Sequence, residues 1–278
     1  MPEHSKSEHS QSEQPARPIK PVPFRGGGFA PKPMRIIAPV LFIALISLWE
    51  SGSRTGWISP LILPAPSEAF AAFMELLKSG QLVLHLKASL LRLVVGWSAG
   101  TALGLVFGIA AGLFTVARGA IVPFVAAIFP IPKIALLPLF IIWFGIGEES
   151  KIATILFGTF FPTVIAVYGG IDNVDRGLIR MGQSFNLSWW SIVWKIILPG
   201  ALPAILSGFR ISASIAIILL VAAEMIGAEY GIGAYVLLAG NLMAMDQLIA
   251  GVAMLSILGL TVSWIIGRAE KYFLKWRV

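Results

Sequence analysis

The chain has 278 residues, of which 57% are hydrophobic and only 13% charged, against about 25% charged in an ordinary soluble domain. That deficit excludes a protein built around one large aqueous core and points into a bilayer. The absence of cysteine excludes a disulfide framework, a thiolate nucleophile and a cysteine-bearing metal site.

In chain order, residues 1–33 are polar, rich in Pro, Ser, Glu and His, and have no apolar core behind a short basic start. Such a stretch cannot bury enough apolar surface to fold, so a disordered cytoplasmic tail is expected, with a docking or regulatory tail as the alternative. Residues 34–278 read as one transmembrane domain. Its candidate spans are 35–50, 90–115, 121–144, 152–168, 205–223 and 248–266. The segment 66–86, with Phe70, Phe73, Leu76 and Leu77 against Glu68, Glu75 and Lys78, describes an amphipathic helix. The fold class is therefore an all-α polytopic membrane protein of about six transmembrane helices. Five is the rival count, should the first run lie in the interface.

Gly96, Gly100, Gly104, Gly108 and Gly112 recur every four positions and line one helical face. Small-residue stripes let backbones approach closely in lipid; packing within the chain is the preferred reading, a dimer seam the other. Further on, the stretch PIPKIALLP at 130–138 carries prolines that interrupt a helix and free backbone groups. Lys133, between Pro132 and the next turn, is a candidate attractor for an anion in a pore; snorkelling or pairing with an acid is the alternative.

Between the fourth and fifth spans lies a segment unlike either a span or an ordinary loop. Helix-compatible residues run through Arg180, Met181 and Gly182 to Asn186, a residue that tolerates the left-handed conformation ending a helix. A second short amphipathic piece, 190–197, is expected to stop at Pro199. Trp189 and Trp190 sit at the corner, giving a protruding knob; the plainer reading is an interfacial loop anchored by tryptophans. Beyond it, Arg210 reads as a structural anchor near the start of the fifth span. Glu224 closes the other end of that span, as an outer gate, a contact for a delivery protein, or an interfacial glutamate without such a role.

The net charge of +7 would suit nucleic acid, yet the cations flank apolar runs, which is the signature of membrane orientation and gives no nucleic-acid partner. Placing both termini in the cytoplasm puts Lys20, Arg25, Lys32, Arg118, Arg176, Arg180, Lys195, Arg268 and Lys271 inside, with Trp276 and Arg277 as an interfacial anchor. The outside then receives mainly Arg54, Lys78 and Lys151, diluted by acids. No zinc-protease, nucleophile-elbow or complete phosphate-loop motif is present, so no catalytic residue, metal or cofactor is assigned to the chain.

The knob is similar to the EAA motif of ABC-importer permeases, with Ile196, Leu198 and Pro199 in the Ile-x-Leu-Pro positions and Pro203 continuing the pattern. Arg180 stands where that motif has Glu, and Asn186 where it has Gly. PIPKIALLP at 130–138, WFGIGEESK at 143–151 and AEMIG at 223–227 resemble the nitrate/sulfonate/taurine/bicarbonate branch of these permeases. The resemblance covers residues 49–278 and implies a type I ABC-importer permease fold without a nucleotide site of its own. It implies a loop at 170–204 whose Leu187, Ser188, Trp189 and Trp190 seat in an ATPase subunit. It further implies a second copy of the chain, two ABC ATPase subunits holding ATP and magnesium, and a periplasmic or lipid-anchored solute-binding protein. The implied setting is the bacterial inner membrane and the implied solute a small anion; Pro130, Pro132, Lys133 and Glu224 are the candidate residues for its path. A self-sufficient secondary transporter or channel is the alternative, and a membrane-embedded enzyme a more distant one.

Overall fold

The computed structural model describes residues 36–275, so the tail expected over 1–33 and the Trp276–Arg277 anchor lie outside the described residues. The chain divides into two compact units, 1–48 and 49–278. The first described helix, α1 (Ile37–Arg54), is long and apolar enough to cross a membrane.

Helix α2 (Pro66–Lys78) starts with proline in its first turn, where a missing N–H costs nothing. The Ala65 amide donates to the Glu68 carboxylate at 3.1 Å, closing the turn from the other side. The amphipathic segment expected to reach residue 86 stops instead at Lys78. Gly80, at φ +77°, turns the chain, and α3 (Gln81–Leu113) begins nine residues before the predicted span at 90. His85 and Ser89, polar residues in this first part, both find partners inside the protein and are buried.

After α3 come α4 (Thr115–Ile128) and α5 (Leu137–Phe144), bent by 89° at the proline-rich break and joined by a 3-10 turn, Lys133–Leu136. Gly145, at φ +83°, ends α5, and α6 (Glu148–Asp172) follows. The glycine stripe of α3 packs on α6. A Cβ at Gly96 would lie 2.7 Å from Cβ of Ile155; at Gly104, 2.6 Å from Thr163; at Gly108, 2.6 Å from Val167; at Gly112, 2.8 Å from Ile171. Each step of four along α3 meets a step of four in the same sense along α6, so the two helices are parallel. The stripe is a packing seam within the chain.

That parallel pairing has a topological consequence. The chain leaves α3 at one end and enters α6 at the opposite end, so Thr115 to Phe144 must return across the full thickness. The bent pair is one broken crossing. Together with α1, α3, α6, α9 (Leu198–Gly227) and α11 (Met245–Phe273), it makes six.

Helix α9 runs antiparallel to α6: Gly170 meets Ala201 and Ala204, while Gly208 meets Ala166 and Gly158 meets Leu219. Helix α10 (Ile232–Asn241) is short and turns the chain into α11, which comes back along α9. A buried cluster of Leu93, Ile155, Leu219, Leu220, Ile232 and Met254 joins α3, α6, α9, α10 and α11. Among the described residues there is no strand.

Candidate functional site

Three constellations carry polar or exposed chemistry: the connection between α6 and α9, the broken crossing, and a buried ionic cluster at the opposite end.

The connection is an elbow. Helix α7 (Arg176–Ser184) is started by Asp175, whose carboxylate accepts from the Gly177 amide at 2.7 Å. It ends with Asn186 at φ +55°. The Leu187 amide donates to the Gly182 carbonyl at 3.1 Å and the Asn186 amide to Gln183 at 2.9 Å, the two bonds of a Schellman turn. Asn therefore supplies the turn chemistry expected of it. Ser188 then caps α8 (Trp189–Ile192), its hydroxyl accepting from the Ser191 amide at 3.3 Å. Gly182 is buried because α7 folds back on the next segment; a Cβ there would sit 2.8 Å from Ile196 Cδ1.

Pro199 does not stop this segment. After α8 the chain widens into one π turn, Val193–Ile197, and runs directly into α9, giving a continuous helix Trp189–Gly227 of 39 residues. A proline inside a helix removes a donor and crowds the carbonyl one turn back. The wider turn before Pro199 relieves both, which is the usual service of a π bulge. At 1.5 Å per residue the continuous helix is about 58 Å long, nearly twice the hydrocarbon thickness of about 30 Å. One of its ends must project into water.

Of the residues the sequence singled out, Gly182, Ile196, Leu198 and Pro199 form the buried or half-buried base of the elbow, while Arg180, Met181, Asn186, Leu187, Ser188, Trp189 and Trp190 are exposed. Phe185, Trp190 and Trp194 are 75%, 63% and 65% exposed, an unusual density of aromatic surface. Trp189 leans on Phe114, at the α3–α4 junction, with ring centroids 5.8 Å apart, and Trp190 meets it edge-on at 4.8 Å. Arg118 braces the same end, 2.5 Å from Asp172 and 2.7 Å from the Tyr168 hydroxyl.

At the broken crossing, Pro130 and Pro132 are exposed and Lys133 is half-buried. The Lys133 ammonium donates to the carbonyls of Phe129 and, at 3.4 Å, Ile128, at the C-terminal end of α4. It also lies 4.9 Å and 5.4 Å from the ring centres of Phe129 and Phe161. The cation thus satisfies carbonyls that the break exposes, and the helix end in turn favours the cation.

The third constellation was largely missed from sequence. Glu224 is sealed within the fold. Its carboxylate accepts from Ser89 at 2.7 Å, from Arg92 at 2.8 Å and from the Gly233 amide at 2.8 Å. Arg92, also buried, reaches the Tyr230 carbonyl at 2.7 Å through Nη1 and holds Glu148 through Nε and Nη2, at 2.5 and 2.6 Å. His85 contacts the Gly231 backbone and sits between Tyr230 and Tyr235. The Tyr235 phenol is pushed above its usual range, first by burial and then by the carboxylates of Asp246 and Glu75. Among the described residues no buried side-chain polar atom lacks a partner. The cluster ties the start of α3, the start of α6 and the end of α9 together. Arg92, a lone cation in an apolar run, was the available signal. Arg210, the expected anchor, pairs with Glu270 on α11 rather than clamping the elbow.

Residues 100–275 match the family described as binding-protein-dependent transport system inner membrane component. The chain is 38% identical over 219 residues to the taurine transport system permease TauC of Escherichia coli, covering 77% of this chain and 80% of that one. It is 35% identical over 233 residues to SsuC of Bacillus subtilis, assigned to aliphatic sulfonates transport, covering 84% of each. Its fold is similar to a chain of the inward-facing MetNI methionine ABC transporter, with a TM-score of 0.61 at 20% identity, covering 70% of this chain and 97% of that one.

Proposed function

Because this chain belongs to the family of binding-protein-dependent transport system inner membrane components, we propose that its elbow is the seat of a separate ATPase and that two copies enclose a path for a small anion. The protein is the multi-span permease subunit of an ABC importer, with the corresponding type I fold.

The observation that carries the reading is the elbow itself. It is a capped two-helix projection with an apolar base and an aromatic, solvent-facing tip, fixed to the bundle by a helix too long to end inside the membrane. A rigid projection transmits displacement; a loose interfacial loop would not. The charge distribution supports a cytoplasmic position. The elbow end holds Arg118, Arg176, Arg180, Lys195, Arg268 and Lys271, while the opposite end has fewer exposed basic residues, Arg54, Lys78 and Lys87, with Lys151 and Arg92 buried. Both chain termini then lie inside, and the coupling loop 170–204 belongs to a permease domain spanning 34–278.

ATP and magnesium bind the partner ATPase, and this chain supplies no nucleotide site. Closure of the ATPase pair moves the elbows, and the bundles rock about the broken crossing to open outward. The relatives named for taurine and sulfonates support a small organic anion delivered by an external binding protein. Lys133, with Pro130 and Pro132 beside it, supplies the cation at the break, while Glu224 and Arg92 close the outer end. Reconstitution in liposomes tests this: uptake will require the ATPase, the binding protein and ATP together, and uptake by this chain alone would refute it.

A further inference from the structure

Helix α9 leaves one side uncovered through the depth of the bundle. Ala204, Ser207, Ile211, Ser214, Ile218 and Met225 are exposed and recur three, four or seven residues apart, so they share one face. Contacts fix what stands on either flank. On one, a Cβ at Gly158 of α6 would meet Leu219 Cδ1 at 1.9 Å and Lys133 Cγ at 3.8 Å, which places α6 and the broken crossing there. On the other, Cβ atoms at Gly259 and Gly267 of α11 would lie 3.8 Å from Ile217 Cδ1 and 3.5 Å from Arg210 Nη2. The uncovered face is thus the floor of a trough walled by the break and by α11.

The walls carry polar groups that lipid would not favour. Ser256 and Ser263 are exposed on the side of α11 that holds Gly259 and Gly267, whereas Thr261 and Ile265, on its far side, line a groove with α3. Ile217 opposite Gly259 and Arg210 opposite Gly267 set an antiparallel register, which brings Ser214 level with Ser263 and Ser256 level with Leu219 and Lys133. From Glu148 to Gly158 is about 15 Å along α6, so Lys133 stands near mid-depth. Beside it Pro130, Ile131 and Pro132 expose non-helical backbone, which at that depth must face protein or water. At the elbow end the trough opens onto a cleft of about 820 Å³ bordered by Arg210, Arg268, Lys271 and Lys275, whose one acid, Glu270, is paired with Arg210.

Resting on the reading that this chain helps enclose an anion path, we propose that the trough is the inner half of that path. Ser207, Ser214, Ser256 and Ser263 pass the anion from Lys133 to the basic cleft. From Leu219 to Arg210 is about 13 Å along α9, and the serine hydroxyls meet the anion within that distance. Ser214 and Ser256 donate to carbonyls of their own helices, Arg210 at 3.2 Å and Val252 at 3.0 Å. Such bonds keep the hydroxyls satisfied when the path is empty and can be exchanged for the oxygen of an anion. Ile211 and Ile218, between the serines, keep binding weak enough for the anion to leave.

The chain has no cysteine, so a single introduced thiol is the only one to label. The complete transporter in liposomes, with its ATPase and binding protein, is exposed on both sides to the impermeant anion 2-sulfonatoethyl methanethiosulfonate. This reagent attacks the thiolate, which forms only where water reaches. Ser214→Cys and Ser263→Cys will react at least about 10-fold faster than Ser98→Cys, an exposed position on α3 set among Val94 and Val95, and labelling will stop uptake. Ile218→Cys supplies a further position on the floor if a serine variant does not fold. Trough thiols no more reactive than that of Ser98→Cys would overturn the proposal, as would labelling that leaves uptake intact. Uptake by the unlabelled proteins keeps the two readings apart. ATP-driven uptake with unreactive trough thiols removes the trough alone, whereas its absence in the native chain removes the transport reading.

Discussion

Arg92 and Glu224 meet at 2.8 Å with their side chains 3% and 0% exposed, so the fold holds a fully enclosed ion pair between α3 and α9. Burying two charges is costly, and here Ser89, the Gly233 amide, the Tyr230 carbonyl and Glu148 complete their hydrogen bonding. The pair is a fastening whose value lies in its completeness. Removing the arginine will strand the buried carboxylate: Arg92→Ala will cost on the order of 3–5 kcal/mol, read as a lower unfolding midpoint in detergent, whereas Glu224→Ala leaves Arg92 paired with Glu148 and will cost less. Arg92→Leu with Glu224→Leu will lose markedly less than the two single losses added, because the one carboxylate left without Arg92, Glu148, is half exposed and solvated.

Close packing of α3 on α6 makes an equally direct prediction. A side chain at Gly104 would press on Thr163 and, at 2.8 Å, on the Phe160 carbonyl, a backbone atom that cannot step aside. Gly104→Leu will therefore destabilise by at least about 1–3 kcal/mol and reduce the folded yield. Gly119, on α4, has nothing within 4 Å of its Cβ position. Gly119→Ala will be neutral or stabilising by up to about 1 kcal/mol, as for an ordinary helical glycine.

The Schellman turn sets the tolerance at position 186. Gly there will match or improve on Asn, since φ +55° suits it. A β-branched residue will strain the turn: Asn186→Val will cost about 1–2 kcal/mol locally. The check is protease cleavage at the elbow, faster in Asn186→Val and unchanged in Asn186→Gly.

Lys133 caps the break, and the proposed path gives it a second role. Gln can still donate to the Phe129 carbonyl but brings no charge, so Lys133→Gln will keep the folded yield near that of the native chain while lowering anion uptake. Uptake measured in liposomes against the amount of folded protein separates the two roles. Unchanged uptake would leave Lys133 as a helix cap only.

Features with strong local causes were legible in the sequence. Asn186 announced its left-handed turn, Pro130 and Pro132 announced the break, and the glycine stripe announced a close helix contact. What escaped depended on partners distant in sequence. The early start of α3 was one such feature: His85 and Ser89 are buried against Gly231 and Glu224, more than a hundred residues away. Arg92 was visible as a cation in an apolar run, but only the fold shows that Glu148 and Glu224 converge on it. Pro199 misled because proline reads as a stop, whereas one π turn ahead of it lets the helix continue.

The elbow is the central claim, and capture of the ATPase tests it most directly. The native chain, solubilised together with its ATPase and binding protein, will bring down the ATPase. Trp190→Ala and Asn186→Val will lose it while keeping the elution volume and helicity of the native chain. Retention of the ATPase by both variants at native levels would contradict the account, because the motor would then be gripping some other surface.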